Sequence, residues 1–271
     1  SKLTLKNMHP LLAKVLQSES EVSVRYHFAV VCGLYAMNGI VCQWTASLPA
    51  GSAAIWPDGC RDVIAITSQA GIHVICSSLD VGVRTITCRE ATQFVGWRLA
   101  PGGLLAHEHR GDDYLMRDAE LTPSQLSLHG DTPFSELSVQ QLQSVLVNHL
   151  RLPPAWLSDY FCELTPTHSP IRNRLSERHI RRQVTALTGA SPNYWRRLKR
   201  ARQVAKSLAS SDEPIAALAF DHGYSDQAHL TREMQHWFRC SPLKLRREHE
   251  QTLQRLAGKN AFSPWSDSAL A

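Results

Sequence analysis

Features common in zinc proteins, secreted proteins and membrane proteins are missing from this 271-residue sequence. Its seven cysteines, an odd number, include neither a Cys-x-x-Cys pair nor the Cys/His spacing of a zinc site, which predicts reduced thiols and no bound metal. The longest apolar run, residues 28–37, is far shorter than the ~20 residues that cross a membrane, and no signal peptide is recognisable. These absences favour a cytoplasmic protein without a cofactor.

Groups that suggest catalysis are few. His107, Glu108 and His109 could hold a metal if they lay on a strand, but the further ligands that such a site needs are not found, and a solvated loop is the favoured interpretation. Cys60, close to Asp58, could be a reactive thiol, yet a structural cysteine after a turn is favoured because reactivity requires a lowered pKa. We therefore assign no catalytic residue.

Near the C-terminus, one pattern occurs twice at an offset of fifty residues. Residues 176–187 are followed by Ser191-Pro192, and residues 226–237 by Ser241-Pro242. In each copy apolar side chains recur at i, i+4 and i+7, which predicts an amphipathic helix.

The polar arc of each predicted helix carries arginine, glutamine and threonine, whose donors and acceptors match base edges in the major groove. A single helix of this kind is usually an ordinary surface helix, but two copies at one spacing favour recognition of DNA. The predicted base-reading residues are Arg178, Arg181, Arg182 and Thr185 in the first copy, and Gln227, Thr231 and Arg232 in the second.

The charge distribution supports this interpretation. Residues 172–248 contain 16 Lys/Arg against 7 Asp/Glu, whereas residues 1–171 contain 11 against 15, so the net charge of +5 is concentrated where the repeat lies. Such an asymmetry is typical of contact with phosphates.

One continuous helix is predicted between the two copies, because Tyr194, Leu198, Ala201, Ala205 and Leu208 form a single stripe. This helix would hold the reading helices about one duplex turn apart, roughly 34 Å. Four basic residues around it are predicted to contact phosphates, which position a protein without specifying sequence: Arg196, Arg197, Lys199 and Arg200.

The second copy resembles the paired helix-turn-helix domain of the AraC/XylS family of bacterial transcription regulators. The residues that carry the resemblance are Pro214-Ile215-Ala216-Ala217-Leu218-Ala219, Gly223-Tyr224-Ser225-Asp226-Gln227, Phe238 and Ser241-Pro242, and the first copy matches through Arg178, Ile180, Arg182 and Gly189. The resemblance implies a sequence-specific regulator, usually an activator that contacts RNA polymerase.

Two departures from the family pattern concern helix ends. Residues 165–170, with two prolines, cannot form a regular first positioning helix, which is therefore short, shifted or missing. The second positioning helix is predicted to be capped by Asp212, with Pro214 in its first turn. Cys240 stands where the family usually has glycine.

In the N-terminal part, polar and apolar residues alternate from residue 22, and Asn38-Gly39 predicts a hairpin turn. Frequent turn signals between short apolar runs predict an all-β sandwich or barrel. The other predicted strands are residues 40–45, 63–67, 72–76, 83–88 and 94–99.

Two fragments, residues 56–60 (WPDGC) and residues 94–103 (FVGWRLAPGG), resemble the N-terminal domain of one branch of the same family. The resemblance implies a cupin-like β domain that senses a small-molecule effector, dimerises the protein, or both. Trp44, Trp56 and Trp97 are candidates for lining an apolar ligand pocket, with core packing as the equal alternative.

A further helix is predicted over residues 135–150. In proteins of this family such a helix often forms a homodimer interface, here through Leu142, Leu146 and His149, although packing against its own β domain is favoured. The predicted fold is thus α+β with two domains, an all-β N-terminal domain and an all-α C-terminal domain. The predicted segments are 1–134 (β domain), 135–168 (helix and linker), 169–249 (DNA-binding domain) and 250–271 (tail).

The sequence as a whole predicts a non-enzymatic transcription regulator at the nucleoid that binds double-stranded DNA and no membrane. Two alternatives remain. One is an AraC-like domain fused to an enzymatic or DNA-repair module, although the four-Cys zinc site and Pro-Cys-His-Arg motif of such repair proteins are absent. The other is a ligand-free regulator controlled by a protein partner.

Overall fold

The computed structural model describes residues 23–27, 39–108, 117–128, 132–162 and 176–257. Three predicted features lie wholly or partly outside these residues: the turn residue Asn38, the side chain of His109 and the proline-containing segment 165–170. The tail from residue 258 onward is also outside them.

The N-terminal domain is built from antiparallel strands, as predicted. Six strands form one sheet in the order β1-β2-β7-β4-β5-β9, β3 pairs with β6, and β8 pairs with β10. Strand β3 was not predicted, because its Gly-Ser-Ala-Ala start has no alternating apolar pattern. The strands are β1 (Ser23–His27), β2 (Ile40–Leu48), β3 (Gly51–Ile55), β4 (Asp62–Ser68), β5 (Gly71–Cys76), β6 (Arg84–Cys88), β7 (Thr92–Leu99), β8 (Leu104–Leu105), β9 (Ala119–Glu120) and β10 (Leu150–Arg151).

The six-stranded sheet has a core on each face. On one face Trp44 and Phe94 pack towards Ile86 of β6, so the β3-β6 pair covers this side. On the other face Trp97 packs with Leu142 and Leu146 of helix α1 (Val139–His149). The arrangement agrees with the predicted sandwich-like β domain.

Helix α1 begins with a capping box, in which Ser138 accepts from the Gln141 backbone and the Gln141 side chain accepts from the Ser138 backbone. Leu142 and Leu146 are 4% and 0% exposed because they pack on the sheet of their own chain. This packing agrees with the favoured prediction, and the two leucines are not available for the alternative dimer contact. His149 is half-buried, and its Nδ1 lies 2.8 Å from the Val145 carbonyl oxygen.

The C-terminal domain is helical, and its central repeat keeps the predicted offset of fifty residues. The described helices after α1 are α2 (Ala155–Cys162), α3 (Glu177–Thr188), α4 (Pro192–Ser210), α5 (Ile215–Asp221), α6 (Gln227–Phe238), α7 (Pro242–Arg247) and α8 (His249–Ala257). Within the described residues, no helix is both long and apolar enough to cross a membrane.

The ends of α3 and α6 also match at this offset. The side chain of Ser176 caps α3 by accepting from the backbone N–H of His179. The side chain of Asp226 caps α6 in the same way by accepting from the backbone N–H of His229. At the C-termini, Gly189 and Arg239 both have left-handed backbone, with φ of 73° and 51°. The residue of the second copy that corresponds to Gly189 is thus Arg239. The prediction that placed the family's glycine at Cys240 is therefore wrong by one residue.

One further expectation about helix starts is corrected, and a second, that the first positioning helix is short, shifted or missing, agrees with the structure. The N-cap of α5 is Pro214, without a side-chain cap, so Asp212 does not cap this helix. Ahead of α3, the short helix α2 contributes Leu157 and Phe161 to a core with Ile180 and Val184. A helix therefore supports the first copy, upstream of the proline-containing segment.

Candidate nucleic-acid interface

The polar arcs of α3 and α6 face solvent. Among the predicted base-reading residues, Thr231 is half-buried and the others are exposed; these are Arg178, Arg181, Arg182, Thr185, Gln227 and Arg232. The hydroxyls of Thr185 and Thr231 donate to carbonyl oxygens one turn earlier in their helices, each over 2.8 Å. Both hydroxyl oxygens keep lone pairs that can accept from a base.

The apolar arcs of the two helices pack in two cores, and both cores include residues of α4. On the first side Ile180, Val184 and Leu187 share a core with Trp195, whose ring lies 4.8 Å from that of Phe161. On the second side the apolar residues of α6 share a core with the later part of α4: Leu230, Met234 and Trp237 with Leu198, Ala201, Ala205 and Leu208. One continuous helix therefore carries both candidate reading helices, as predicted.

Two of the basic residues on α4, Arg197 and Arg200, have partners within the domain. Arg197 forms an ion pair with Glu233 of α6, with 2.6 Å between Nη2 and Oε1. Arg200 donates to the Gly223 carbonyl oxygen over 3.0 Å, and its guanidinium lies 4.4 Å from the centre of the Tyr224 ring. Both guanidinium groups tie α4 to the second helix-turn-helix unit, and contact with phosphates stays a prediction for them.

Arg196 is exposed and Lys199 is half-buried, and both stay predictions as phosphate contacts. The burial of Tyr224 raises the pKa of its phenol to about 12 despite the neighbouring Arg200. The phenol is therefore neutral at physiological pH, and its ring serves as a platform for the arginine.

Glu233 is a structural residue that the sequence analysis missed. It is 6% exposed and accepts from Arg197 and from the Trp237 indole N–H over 3.1 Å. Burial by itself raises the pKa of Glu233, but these two hydrogen bonds hold it below the ordinary value of 4.5. A carboxylate beside the apolar stripe of a helix was the signal that could have revealed it, because such a group is paired when buried.

The three tryptophans proposed for a ligand pocket lie in three different cores. Trp44 and Trp97 point to opposite faces of the sheet, because Trp44 pairs with Gly96 and side chains alternate along a strand. Trp56 packs with Phe238 in the core of the helical domain. A common pocket lined by all three is therefore excluded.

Two other candidate reactive groups of the β domain, Glu108 and Cys60, are buried in its interior. Glu108 is 1% exposed and pairs with Arg61, so it does not belong to a solvated loop as predicted. Cys60 is buried, and this burial raises the pKa of its thiol well above the usual value although Arg98 opposes the shift. The described residues contain no group of three or more His, Cys, Asp or Glu side chains that could hold a metal ion.

The chain is similar in sequence to helix-turn-helix proteins. A family profile described as "Helix-turn-helix domain" matches residues 172–248. The HTH-type transcriptional activator RhaS of Escherichia fergusonii is 30% identical over 109 residues, which are 40% of this chain and 38% of RhaS. The multiple antibiotic resistance protein MarA of Escherichia coli is 32% identical over 80 residues, which are 30% of this chain and 63% of MarA. The chain thus covers less than two thirds of either relative.

Among solved structures, ToxT of Vibrio cholerae bound to (E)-4-(8-methylnaphthalen-1-yl)but-3-enoic acid aligns with 88% of this chain and 100% of its own length. The TM-score is 0.37 and the identity 6%, which is too low for a conclusion about this chain. The family profile is more specific, since residues 172–248 contain both capped helices and the helix between them. Residues 172–248 therefore belong to the AraC/XylS family of paired helix-turn-helix DNA-binding domains.

Proposed function

We propose that the protein is a sequence-specific DNA-binding transcription regulator in which α3 and α6 enter successive major grooves. The observation that carries the proposal is the repetition of one exposed arginine at the same helical position. Arg182 and Arg232 lie fifty residues apart, on helices whose N-caps and C-caps also match at that offset. Arginine pairs with guanine in the major groove, so the two helices can read equivalent positions of two half-sites.

One helix carries both reading helices in this arrangement. Trp195 in the first turn of α4 packs with the apolar arc of α3, while Tyr194, Arg197 and the later residues of α4 contact α6. Successive major grooves on one face of B-DNA are roughly 34 Å apart. A modest bend of the DNA, at a cost on the order of 1–6 kcal/mol, can adjust that distance to the separation of the two helices.

The charge of the described surface also supports DNA binding. Arg178 and Arg181 stand beside Arg182 on the exposed arc of α3, and Arg196 and Lys199 lie on the connecting helix. Neutralising phosphates releases counterions, which gives sequence-independent affinity and a steep dependence on salt. In the proposed complex these residues hold the domain on the duplex while Gln227, Thr231 and Arg232 discriminate bases.

The regulatory part of the proposal rests on similarity to RhaS, which is described as a transcriptional activator. By analogy we infer activation through contact with RNA polymerase at the nucleoid, controlled by a small-molecule effector or a protein partner that acts on the β domain. A homodimer through α1 would use the face opposite Leu142 and Leu146, because those side chains are buried.

The alternative of a fused DNA-repair module is disfavoured by Cys60. A thiol that accepts a group by nucleophilic attack needs a lowered pKa and access to substrate. Cys60 is buried, and burial raises the pKa of its thiol.

The purified full-length chain should select one motif from a random double-stranded DNA library. The expected motif has two conserved parts about 10–10.5 base pairs apart, one for each reading helix. The matched control is the double variant Arg182→Ala/Arg232→Ala, which should retain salt-sensitive binding but enrich no motif. Failure of the wild-type chain to enrich any motif would overturn the proposal.

A further inference from the structure

Parts of the two β-domain fragments that resemble one branch of the family, residues 56–60 and residues 100–103, contact the helical domain. Trp56 sits in the core of the second helix-turn-helix unit, with its ring 4.8 Å from the ring of Phe238. The Arg255 guanidinium of α8 lies 5.4 Å from the Trp56 ring. A side chain of the β domain thus completes the core beneath α6.

The residue after Trp56 is held by a buried arginine of α4. Arg202 is 7% exposed, and it donates through Nη1 to the Pro57 carbonyl oxygen and through Nη2 to the Leu256 carbonyl oxygen, the latter over 3.0 Å. Its guanidinium fork therefore joins the β domain, the connecting helix and α8. Burial lowers the pKa of Arg202 to about 10, which leaves it charged at physiological pH.

The second fragment contacts the first helix-turn-helix unit. Gly102 has φ of +78°, and a Cβ at this position would lie 2.5 Å from Cδ2 of Leu157 and 3.4 Å from the carbonyl oxygen of Leu187. The turn at residues 100–103 is therefore packed against α2 and against the C-terminal end of α3. Only glycine fits there, for reasons of both backbone angle and space.

The two contacts are parts of one rigid piece. Arg98, at the end of β7, is 1% exposed and pairs with Asp58 over 2.7 Å and with Asp62 over 3.0 Å. The Leu99 backbone N–H also donates to the Arg61 carbonyl oxygen over 2.9 Å. The segment that touches α6 and the segment that touches α3 are thus joined by buried ion pairs and by the sheet itself. We call residues 56–60 and 100–103 together the motif pair.

A neighbouring loop adds contacts with the same partners. The Tyr194 hydroxyl of α4 donates to the Asp80 carbonyl oxygen over 2.8 Å, and Leu79 shares the core of the first unit. Gly82 lies close to the His236 carbonyl oxygen of α6, since an added Cβ would be 3.3 Å from it.

The contacts described above lie at one end of each reading helix. They involve Leu187 near the end of α3, and His236 and Phe238 at the end of α6. In helix-turn-helix proteins the N-terminal part of the recognition helix contacts base edges, and that part is exposed in both helices here. The β domain can therefore hold both helices while they read DNA.

We propose that the motif pair is a positioning device that fixes α3 relative to α6, and so determines which spacing between two half-sites the protein accepts. Trp56, Arg202, Arg98 and Gly102 are its positioning residues, which act on DNA only through the helices that they hold. A signal that moves the β domain would shift both helices together. This inference rests on the proposed function, because it assumes that both helices read DNA.

The test uses two full-length variants, Trp56→Phe and Arg202→Lys, each of which preserves the chemical character of the side chain. Phenylalanine fills less of the core, and a lysine ammonium does not reproduce the planar fork that spans two carbonyl oxygens. Val81→Ala is the matched control, because Val81 is 55% exposed on the neighbouring loop. Affinity is measured on the selected site and on the same site with one base pair inserted between its halves.

The wild-type chain and the Val81→Ala control should lose roughly tenfold in affinity on the inserted site, the size of effect that a mismatched base pair produces. In both positioning variants the loss should shrink to about threefold or less, because the helices can adjust to the new spacing. A merely structural role would lower affinity for both sites in parallel and leave their ratio unchanged.

Three outcomes separate the claims. A flattened spacing preference in both variants, with thermal unfolding still cooperative, supports the positioning role. Variants that keep the wild-type ratio overturn the positioning role and leave the proposed function standing. A wild-type chain that binds no DNA sequence preferentially overturns the proposed function, and the positioning role with it.

Discussion

The two helix-turn-helix units share one plan but differ in how each reading helix is held. Helices α3 and α6 each have 12 residues, an oxygen cap at the start and a left-handed residue after the end. On α6, Glu233 joins Arg197 and Trp237 in a buried polar contact, whereas the equivalent residue of α3 is the half-buried Gln183. The second helix is thus fixed to α4 by an ion pair that has no counterpart at the equivalent position of the first.

The exposed arcs differ as well. The arc of α3 presents Arg178, Arg181 and Arg182, while that of α6 combines Arg232 with Gln227 and other uncharged groups. Three arginines close together favour phosphates and guanines, whereas an amide beside one arginine can distinguish adenine from guanine. The difference suggests that α3 contributes more of the salt-dependent affinity and α6 more of the base discrimination.

The largest predicted effect is on the anchoring of α6. Glu233→Ala should lower the free energy of unfolding by about 2–3 kcal/mol, because it leaves the Trp237 indole N–H and Arg197 without their acceptor. The value is at the low end for a buried pair, since Arg197 is 37% exposed. Gln183→Ala, the matched change in α3, should cost less than about 0.5 kcal/mol. Equal losses in chemical denaturation would contradict the difference drawn here between the units.

Next come the repeated arginines. Arg182→Ala and Arg232→Ala should each weaken binding to the selected site by about 1–3 kcal/mol and relax base preference in one half of it. Lys199→Ala should weaken binding to all sequences about equally and reduce the slope of log affinity against log salt by about 0.9. Fluorescence anisotropy on selected and scrambled duplexes at several salt concentrations measures both effects. If all three variants behave alike on the two duplexes, the assigned roles are wrong.

The two left-handed positions should respond in opposite directions. Gly189→Ala should destabilise the domain by about 1–2 kcal/mol, because a Cβ is unfavourable at φ of 73°. Arg239→Gly should stabilise it by up to about 1 kcal/mol, because it removes that conflict at φ of 51°. Thermal unfolding of the two variants measures the difference in sign, and stabilisation by Gly189→Ala would show that the cap geometry is misassigned.

The smallest effect concerns acid stability. The folded-state pKa of Glu233 is lowered, so its stabilisation is fully present above its unfolded value near 4.5 and is lost as pH falls through the lower folded value. Glu233→Gln should therefore flatten the fall in unfolding free energy below about pH 4.5. If the unfolding free energy of the variant falls with pH as steeply as that of the wild type, other carboxyl groups dominate the acid sensitivity.

How much of this could be predicted from the sequence differed between the two domains. The repeat and the connecting helix follow from local periodicity and from Ser-Pro signals, which act within a few residues. The internal roles of Arg197 and Arg200 could not be predicted, because an arginine on a helix carries no local sign of the glutamate or tyrosine that will face it. An arginine that contacts DNA cannot be distinguished in the sequence from an arginine that pairs within the domain.

The β domain shows the same limit at longer range. Most of its longer strands were predicted from alternating residues and turn signals. The position of Trp56, however, depends on Phe238, and that of Pro57 on Arg202, both far away in the chain. A tryptophan beside a turn is compatible with a pocket, a core or a docking surface. Only the packing of the two domains distinguishes among these three.

The central claim is that both reading helices lie in DNA at the same time. Methylation interference with the full-length chain on its selected site tests this most directly, because it reports which guanine N7 atoms in the major groove are contacted. We predict two groups of interfering guanines, about 10–10.5 base pairs apart on one face of the duplex, with the first lost in Arg182→Ala and the second in Arg232→Ala. A single group that depends on one of the two arginines alone would contradict the account.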